Sequence, residues 1–181
     1  MGIEIEQTEF EQQDYLVFRS RLEQNLSALR KLMTQPGFGE GEGSLGAELE
    51  MYIVDSGGNP LHANQEILAD AKDPSLTLEL NRYNLEFNLP PFALRDSPFA
   101  QTEQAILDSL ARLRPVAAKL GGRIVPIGIL PTLRQSDFGS ACITDRQRYW
   151  ALVKQLIDRR GDGFHIDISG DEPLQLEMDD I

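Results

Sequence analysis

Apolar residues recur at steps of three and four near the start of the chain. Tyr15, Phe18, Leu22, Leu26, Leu29 and Met33 fall on one side of a helical wheel, and this spacing predicts a helix. Thr8 and Glu11 stand ahead of it as a T-x-x-E capping box. The run QPGFGEGEGSLG then stops the helix with Pro and Gly and reads as a flexible connector. It is no phosphate-binding loop: it lacks the closing G-K-[ST], and its own Glu40 and Glu42 would repel phosphate. From residue 46 the period changes to two. In GAELEMYIVD, Ala47, Leu49, Met51 and Ile53 make one face of a strand, and Glu48, Glu50, Tyr52 and Val54 make the other. DSGGNP closes this strand as a turn, and LHANQEILADAKDPS reads as a short helix and loop. LTLELNRYNLEFNLPP carries two alternating pieces, Leu78-Glu79-Leu80 and Leu85-Glu86-Phe87-Asn88, and ends at Pro90-Pro91.

The second half begins with Ser97-Pro98, an N-cap followed by proline at the first helical position. Phe99, Ile106, Leu110, Leu113, Ala117 and Leu120 form the apolar stripe, Gly121-Gly122 end it, and Pro115 is expected to kink or split it. RIVPIGILP reads as a buried strand interrupted by Pro126, and LRQSDFGSACI as loop. Thr144 is expected to cap a helix carrying Tyr149, Leu152, Leu156 and Ile157. GFHIDIS and PLQLEMDD are expected to pair as strands across a Gly-Asp-Glu turn. Short turns between neighbouring strands imply antiparallel pairing, with the helices gathered on one face: an α+β layer arrangement. The chain ends on the alternating pattern LQLEMDDI with no closing helix, so the fold is expected to be incomplete there.

Composition narrows the function classes. The chain has 181 residues, 41% of them apolar, with no stretch approaching the ~18 apolar residues of a membrane span. Its N-terminus is acidic, with neither a basic segment leading an apolar core nor a myristoylation signal, which leaves a cytoplasmic address as the expectation. Seventeen basic against twenty-nine acidic residues give a net charge of −12, the wrong sign for nucleic acid. A polyanionic small molecule remains compatible where divalent cations stand between the charges. Cys142 is the single cysteine and excludes an internal disulfide; in GSACITD it reads as an inert buried residue.

The chemistry lies with Glu48, Glu50, Glu79 and Glu86, each on a strand-like stretch flanked by apolar residues. Glu48 and Glu50 share a strand face, where two unpaired anions repel. A cluster of hard carboxylate oxygens is what Mg²⁺ or Mn²⁺ requires, and such an ion turns repulsion into shared ligation. Glu79 and Glu86 are seven apart, so a single regular strand would aim them to opposite faces. LNRYN must contain a turn or bulge if both reach one site, and Asn81 and Asn84 suit a turn. On pattern alone a solvated face remains the commoner reading of alternating glutamates. A general-acid pair is also open.

At these residues the chain resembles the glutamate–cysteine ligase family, in its bacterial carboxylate–amine ligase branch. LGAELEMYIVD resembles the family's G-x-E-x-E strand, and LELNRYNLEFNLPP the following segment with two glutamates seven apart. GGRIVPIGILPTL and TDRQRYWAL resemble the next strand and an Arg/Tyr-rich helix start, so the likeness runs from about residue 44 onward. The resemblance implies a glutamine-synthetase-like curved antiparallel sheet holding ATP and two or three Mg²⁺ (or Mn²⁺) ions. Glu48 and Glu50 match two metal ligands of the first strand; Glu79 and Glu86 match the pair completing the cluster. The implied reaction activates a glutamate-like carboxylate as an acyl phosphate, which a cysteine-like amine attacks to form an amide; the cations offset phosphoryl charge and no protein nucleophile is needed. Membrane and nucleic acid are not expected partners.

Two departures accompany the likeness. The family chain is about twice as long, and its Q-x-H metal ligand would follow Ile181. Residues 1–181 are therefore expected to be a single domain, the N-terminal part of a larger catalytic domain, and inactive in isolation. His165 is read as structural and His62 as a surface residue. Arg146, Arg148 and Tyr149 stay open between clamping an anion and supporting the helix start. Two other readings are a non-catalytic metal- or protein-binding module on the same fold, and another phosphoryl-transfer enzyme such as a guanidino kinase.

Overall fold

A computed structural model describes residues 4–160, 164–171 and 173–178 of the chain. The change of period at residue 46 is realised as a strand, β2 (Glu48–Val54), preceded by a two-residue strand β1 (Ser44–Leu45). Next come α2 (Asn64–Ala71), β3 (Leu76–Leu78), β4 (Asn84–Asn88), β5 (Phe92–Ala93), α3 (Pro98–Lys119) and β6 (Arg123–Val125). α1 (Gln12–Met33) precedes them, and α4 (Gln147–Arg160), β7 (Phe164–Ile168) and β8 (Leu174–Met178) follow. Four strands form the central antiparallel sheet in the order β3-β4-β2-β6, while β1 pairs with β5 and β7 with β8 as separate ribbons. The architecture is α+β with antiparallel sheets that do not close on themselves.

The alternation within β2 and β4 builds the core. Met51, Ile53, Leu85 and Phe87 are essentially without exposure, and Leu76 and Leu78 extend the same face onto β3. Against this face pack Ile67 of α2 and Leu110, Leu113 and Ala117 of α3. The other face keeps Glu48 and Glu50 exposed, as the period of two requires. Asp55 closes the turn after β2, its Oδ1 accepting the amides of Gly57 at 2.8 Å and Asn59 at 2.9 Å. α3 ends where expected: Gly121 takes a positive φ of 74°, and the Gly122 amide donates to the Ala117 carbonyl at 2.9 Å.

Several expectations are corrected. α1 begins three residues later than the T-x-x-E pattern indicates, at Glu11, whose amide donates to Asp14 Oδ2 at 2.9 Å. No residue of α1 is buried, so its apolar stripe makes a helix without making a core. α3 runs unbroken through Pro115, because Pro115 and Ala111 both lie on its exposed side, where a carbonyl deprived of its partner meets solvent. Phe99, at the start of its stripe, is 76% exposed. β6 stops before Pro126 instead of resuming beyond it, and Ile129 is 78% exposed. Thr144 is no cap for α4; it is fully buried, with its side chain turned toward β3. α2 and α3 share the core face, whereas α4 builds a smaller cluster in which Tyr149 and Val153 meet Ile143 and Leu80. β7 and β8 pair as expected, with Phe164 opposite Met178. Gly163, Glu172, Asp179, Asp180 and the side chain of His165 lie outside what is described.

Leu113 is 2% exposed at the centre of the α3 contact. Leu113→Ala is expected to lower the unfolding free energy by about 2–5 kcal/mol in chemical denaturation. Ile129→Ala should change it by less than about 0.5 kcal/mol, since the side chain already stands in water.

Candidate metal centre

Glu50 sits in the middle of β2 directly opposite Glu86 of β4, and Glu86 in turn lies opposite Thr77 of β3. Partners across an antiparallel pair share a face, so Glu50, Glu86 and Thr77 point to one side. Glu79 follows Thr77 by two and therefore joins them. The seven-residue separation of Glu79 and Glu86 is resolved by a chain reversal between Leu78 and Leu85, which pair with each other. The Asn84 amide donates to the Asn81 carbonyl at 2.9 Å inside that reversal, so both asparagines lie at the turn where the sequence puts them.

Glu50, Glu79 and Glu86 each offer a carboxylate oxygen within 4.8 Å of the others. Oxygens ligating one Mg²⁺-sized ion stand at most about 4.2 Å apart across it, so this spacing lies within a small side-chain adjustment of shared ligation. All three are hard oxygen donors, which suits such a cation. Among the described residues Glu48 does not join this trio. It lies one pleat further along the same face, opposite Asn88, in a shallow depression lined by Gly46, Ala47, Asn88 and Leu89.

Without a cation the trio is electrostatically unfavourable. Burial pushes the half-buried Glu79 up to about 7, its hydrogen bond with Glu86 acts the same way, and the charges of Glu86 and Glu50 add to it. The Leu80 amide, donating to Glu79 Oε2 at 3.2 Å, offsets this only in part. Glu86 has its own neutral partners: Asn88 Nδ2 and, at 3.4 Å, the Thr77 hydroxyl both donate to its Oε1. Asn88 Nδ2 also donates to Thr77 Oγ1 at 3.1 Å, tying the two side chains together.

A cleft of about 350 Å³ opens beside the carboxylates, lined by Thr77, Glu79, Glu86, Arg148, Tyr149 and Leu152. The Arg148 guanidinium lies 4.6 Å above the Tyr149 ring and donates to the Tyr149 hydroxyl at 2.6 Å. Tyr149 donates to the Leu78 carbonyl at 2.6 Å, and burial beside Glu79 raises its pKa. Arg148 and Tyr149, left open by sequence, therefore flank the glutamates; Arg146 is exposed at the helix start. Thr77 and Asn88 were missed, although each stands two residues from a glutamate on the same strand face, a period-two signal present in the sequence.

The remaining candidates fall elsewhere. His62 is half-buried rather than a surface residue and stacks on Tyr83 with ring centres 5.7 Å apart; burial and the neighbouring Arg82 lower its pKa. Cys142 is buried as expected, and burial pushes its thiol pKa up, which keeps it a poor nucleophile. Among the described residues no helix is long and apolar enough to cross a membrane.

Comparison with known proteins gives one family. The model of glutamate-cysteine ligase family 2 (GCS2) matches residues 44–166, more than half of the chain. The match begins at β1 and contains all three clustered glutamates together with Arg148 and Tyr149. Neither the curated proteins nor the solved structures gave a match.

The raised pKa of Glu79 has a definite sign in stability. Its carboxyl ionises at about 7 in the folded chain against the usual 4.5, so the unfolded state loses its proton first and stability falls as pH rises from 4.5 to 7. In metal-free protein Glu79→Gln is expected to melt above wild type at pH 8, with the difference vanishing below pH 4.5. Thermal melts across that range check it.

Proposed function

The chain belongs to glutamate-cysteine ligase family 2, and from that premise we propose that it takes part in ATP- and Mg²⁺-dependent joining of a carboxylate to an amine. The observation that carries this reading is the convergence of Glu50 of β2, Glu86 of β4 and Glu79, the residue after β3, onto one point of the polar sheet face. Family membership supports a glutamate–cysteine ligase-like activity. The antiparallel sheet with acidic residues on its uncovered face is compatible with a glutamine-synthetase-like frame.

In this reading the carboxylate of a glutamate-like acid attacks the terminal phosphorus of ATP, the bond to ADP breaks, and an acyl phosphate forms. The amine of a cysteine-like substrate then attacks the acyl carbon, phosphate leaves, and the amine gives up a proton. A bound divalent cation supplies positive charge opposite the transferring phosphoryl group. Glu50, Glu79 and Glu86 would hold that ion, with waters and phosphate oxygens completing its shell. Glu48, one pleat away on the same face, would serve an adjacent ion. Thr77 and Asn88 fix the Glu86 carboxylate so that it keeps its aim between turnovers. Arg148, held over the Tyr149 ring beside the same cleft, would face an anionic group of a substrate.

Isothermal titration with Mn²⁺ is expected to show binding that weakens roughly tenfold or more in Glu50→Gln and Glu86→Gln. Binding unchanged in both variants would overturn the cation assignment. ADP release should require the amine as well as the acid; release without any amine would favour a different phosphoryl transfer.

A further inference from the structure

Every carbonyl from Leu78 to Asn84 accepts a hydrogen bond from a donor outside that segment. Leu78 O accepts from the Tyr149 hydroxyl at 2.6 Å and Glu79 O from the Thr144 hydroxyl at 2.6 Å. Leu80 O accepts from the Thr144 amide at 2.7 Å. Asn81 O and Asn84 O both accept from Asn64 Nδ2, at 3.1 and 3.2 Å. Arg82 O accepts from the amides of Ala63 and Asn64 at 3.1 Å, and Tyr83 O from the Ile53 amide at 2.7 Å. A reversal of this length is ordinarily surface backbone bonded to water. Here it is grasped by β2, the start of α2, the 142–144 segment and α4.

Asn64 and Thr144 are the buried side chains at the centre of this grasp. Asn64 is 1% exposed and Thr144 has no exposure. They are joined to each other, Asn64 Nδ2 donating to Thr144 Oγ1 at 2.8 Å. A hydroxyl has one proton to give, and that of Thr144 goes to the carbonyl of Glu79 itself. Buried polar groups of this kind are strong constraints because their alternative is an unpaired polar atom in the interior.

We propose that Thr144, seated by Asn64, is the positioning residue of the cation site: it fixes the backbone of Glu79 so that this carboxylate meets those of Glu50 and Glu86. The inference rests on the cation reading above and adds to it a residue that touches neither ion nor substrate. Glu79 follows β3 and has no strand partner of its own in the register, and of the bonds that hold the backbone around it the one from the Thr144 hydroxyl alone falls on its own carbonyl. Glu50 and Glu86, by contrast, are held by the ladder between β2 and β4.

Thr144→Val is the informative variant. Valine keeps the branched shape and the backbone amide, and puts a methyl group in place of the hydroxyl. Asn64 Nδ2 has two hydrogens and three acceptors, so it stays satisfied by Asn81 O and Asn84 O after the change. The hydrogen bond left unmade therefore falls on the Glu79 carbonyl, against which the new methyl also stands. Metal-free crystal structures and Mn²⁺ calorimetry would be compared for the full wild-type chain, Thr144→Val, Thr144→Ser and Leu113→Ala, the last a core variant on the opposite face of the sheet from the glutamates.

Thr144→Val is expected to move the Glu79 carboxylate out of reach of Glu50 and Glu86 and to weaken Mn²⁺ binding roughly tenfold or more. Thr144→Ser should restore both, and Leu113→Ala should leave Mn²⁺ affinity within about twofold despite its lower stability. A Thr144→Val structure with Glu79 in place, wild-type Mn²⁺ affinity in that variant, or an equal loss in Leu113→Ala would each overturn the proposal. Were the wild-type chain to bind no Mn²⁺ while Thr144→Val still displaced Glu79, the cation reading would fall and the positioning role would stand. Should Thr144→Val not fold, Thr144→Ala, which removes the same hydroxyl without adding a methyl in its place, is expected to give the same displacement.

Discussion

Leu78 lies opposite Leu85, and six residues carry the chain from one to the other. That register is the constraint on which the candidate site depends. With it, Leu76, Leu78, Leu85 and Phe87 turn to the core, and Thr77, Glu79 and Glu86 turn away from it. A slip of one residue in β3 would send Glu79 into the apolar face and bring Leu78 out, exchanging favourable burial for a buried charge. The hydrophobic pattern and the carboxylate arrangement are thus one requirement seen from two sides of a sheet. Neither can drift without the other.

The same economy governs the electrostatics. Three acidic side chains on one patch repel, and what makes the patch tolerable in the bare chain is that Glu79 holds its proton up to about pH 7. Neutral donors supply the rest: Asn88 and Thr77 to Glu86, the Leu80 amide to Glu79. These groups leave acceptor capacity to spare, because each carboxylate has two oxygens and only part of that capacity is engaged. Preorganised oxygens of this kind suit a hard cation better than a flexible acidic loop would, since less ordering remains to be done on binding.

The elements that repeat with a clean period were legible in the sequence. The alternation of β2 placed Glu48 and Glu50 on the open side and Met51 and Ile53 in the core, and the odd spacing of Glu79 and Glu86 demanded the reversal that the asparagines make. What periodicity could not express was what covers a face: the stripe of α1 specifies a helix, yet nothing in it says whether another element lies against it. Proline rules also overstate local damage, since Pro115 is harmless where its orphaned carbonyl faces water. Thr144 was misread for a similar reason. A threonine before a helical pattern is a good cap locally, and only the tertiary arrangement reveals that its hydroxyl donates to the Glu79 carbonyl sixty-five residues earlier. Glu48 falls outside the trio because it stands two residues along β2 from Glu50, opposite Asn88 rather than an acid.

β6 occupies one rim of the central sheet, only three residues long and followed at once by Pro126. An incoming strand from another molecule would find a landing strip of a few residues and then a ring with no amide to offer. Growth of the ladder in that direction is therefore arrested by covalent structure alone, and the molecule is guarded on that side against runaway self-association.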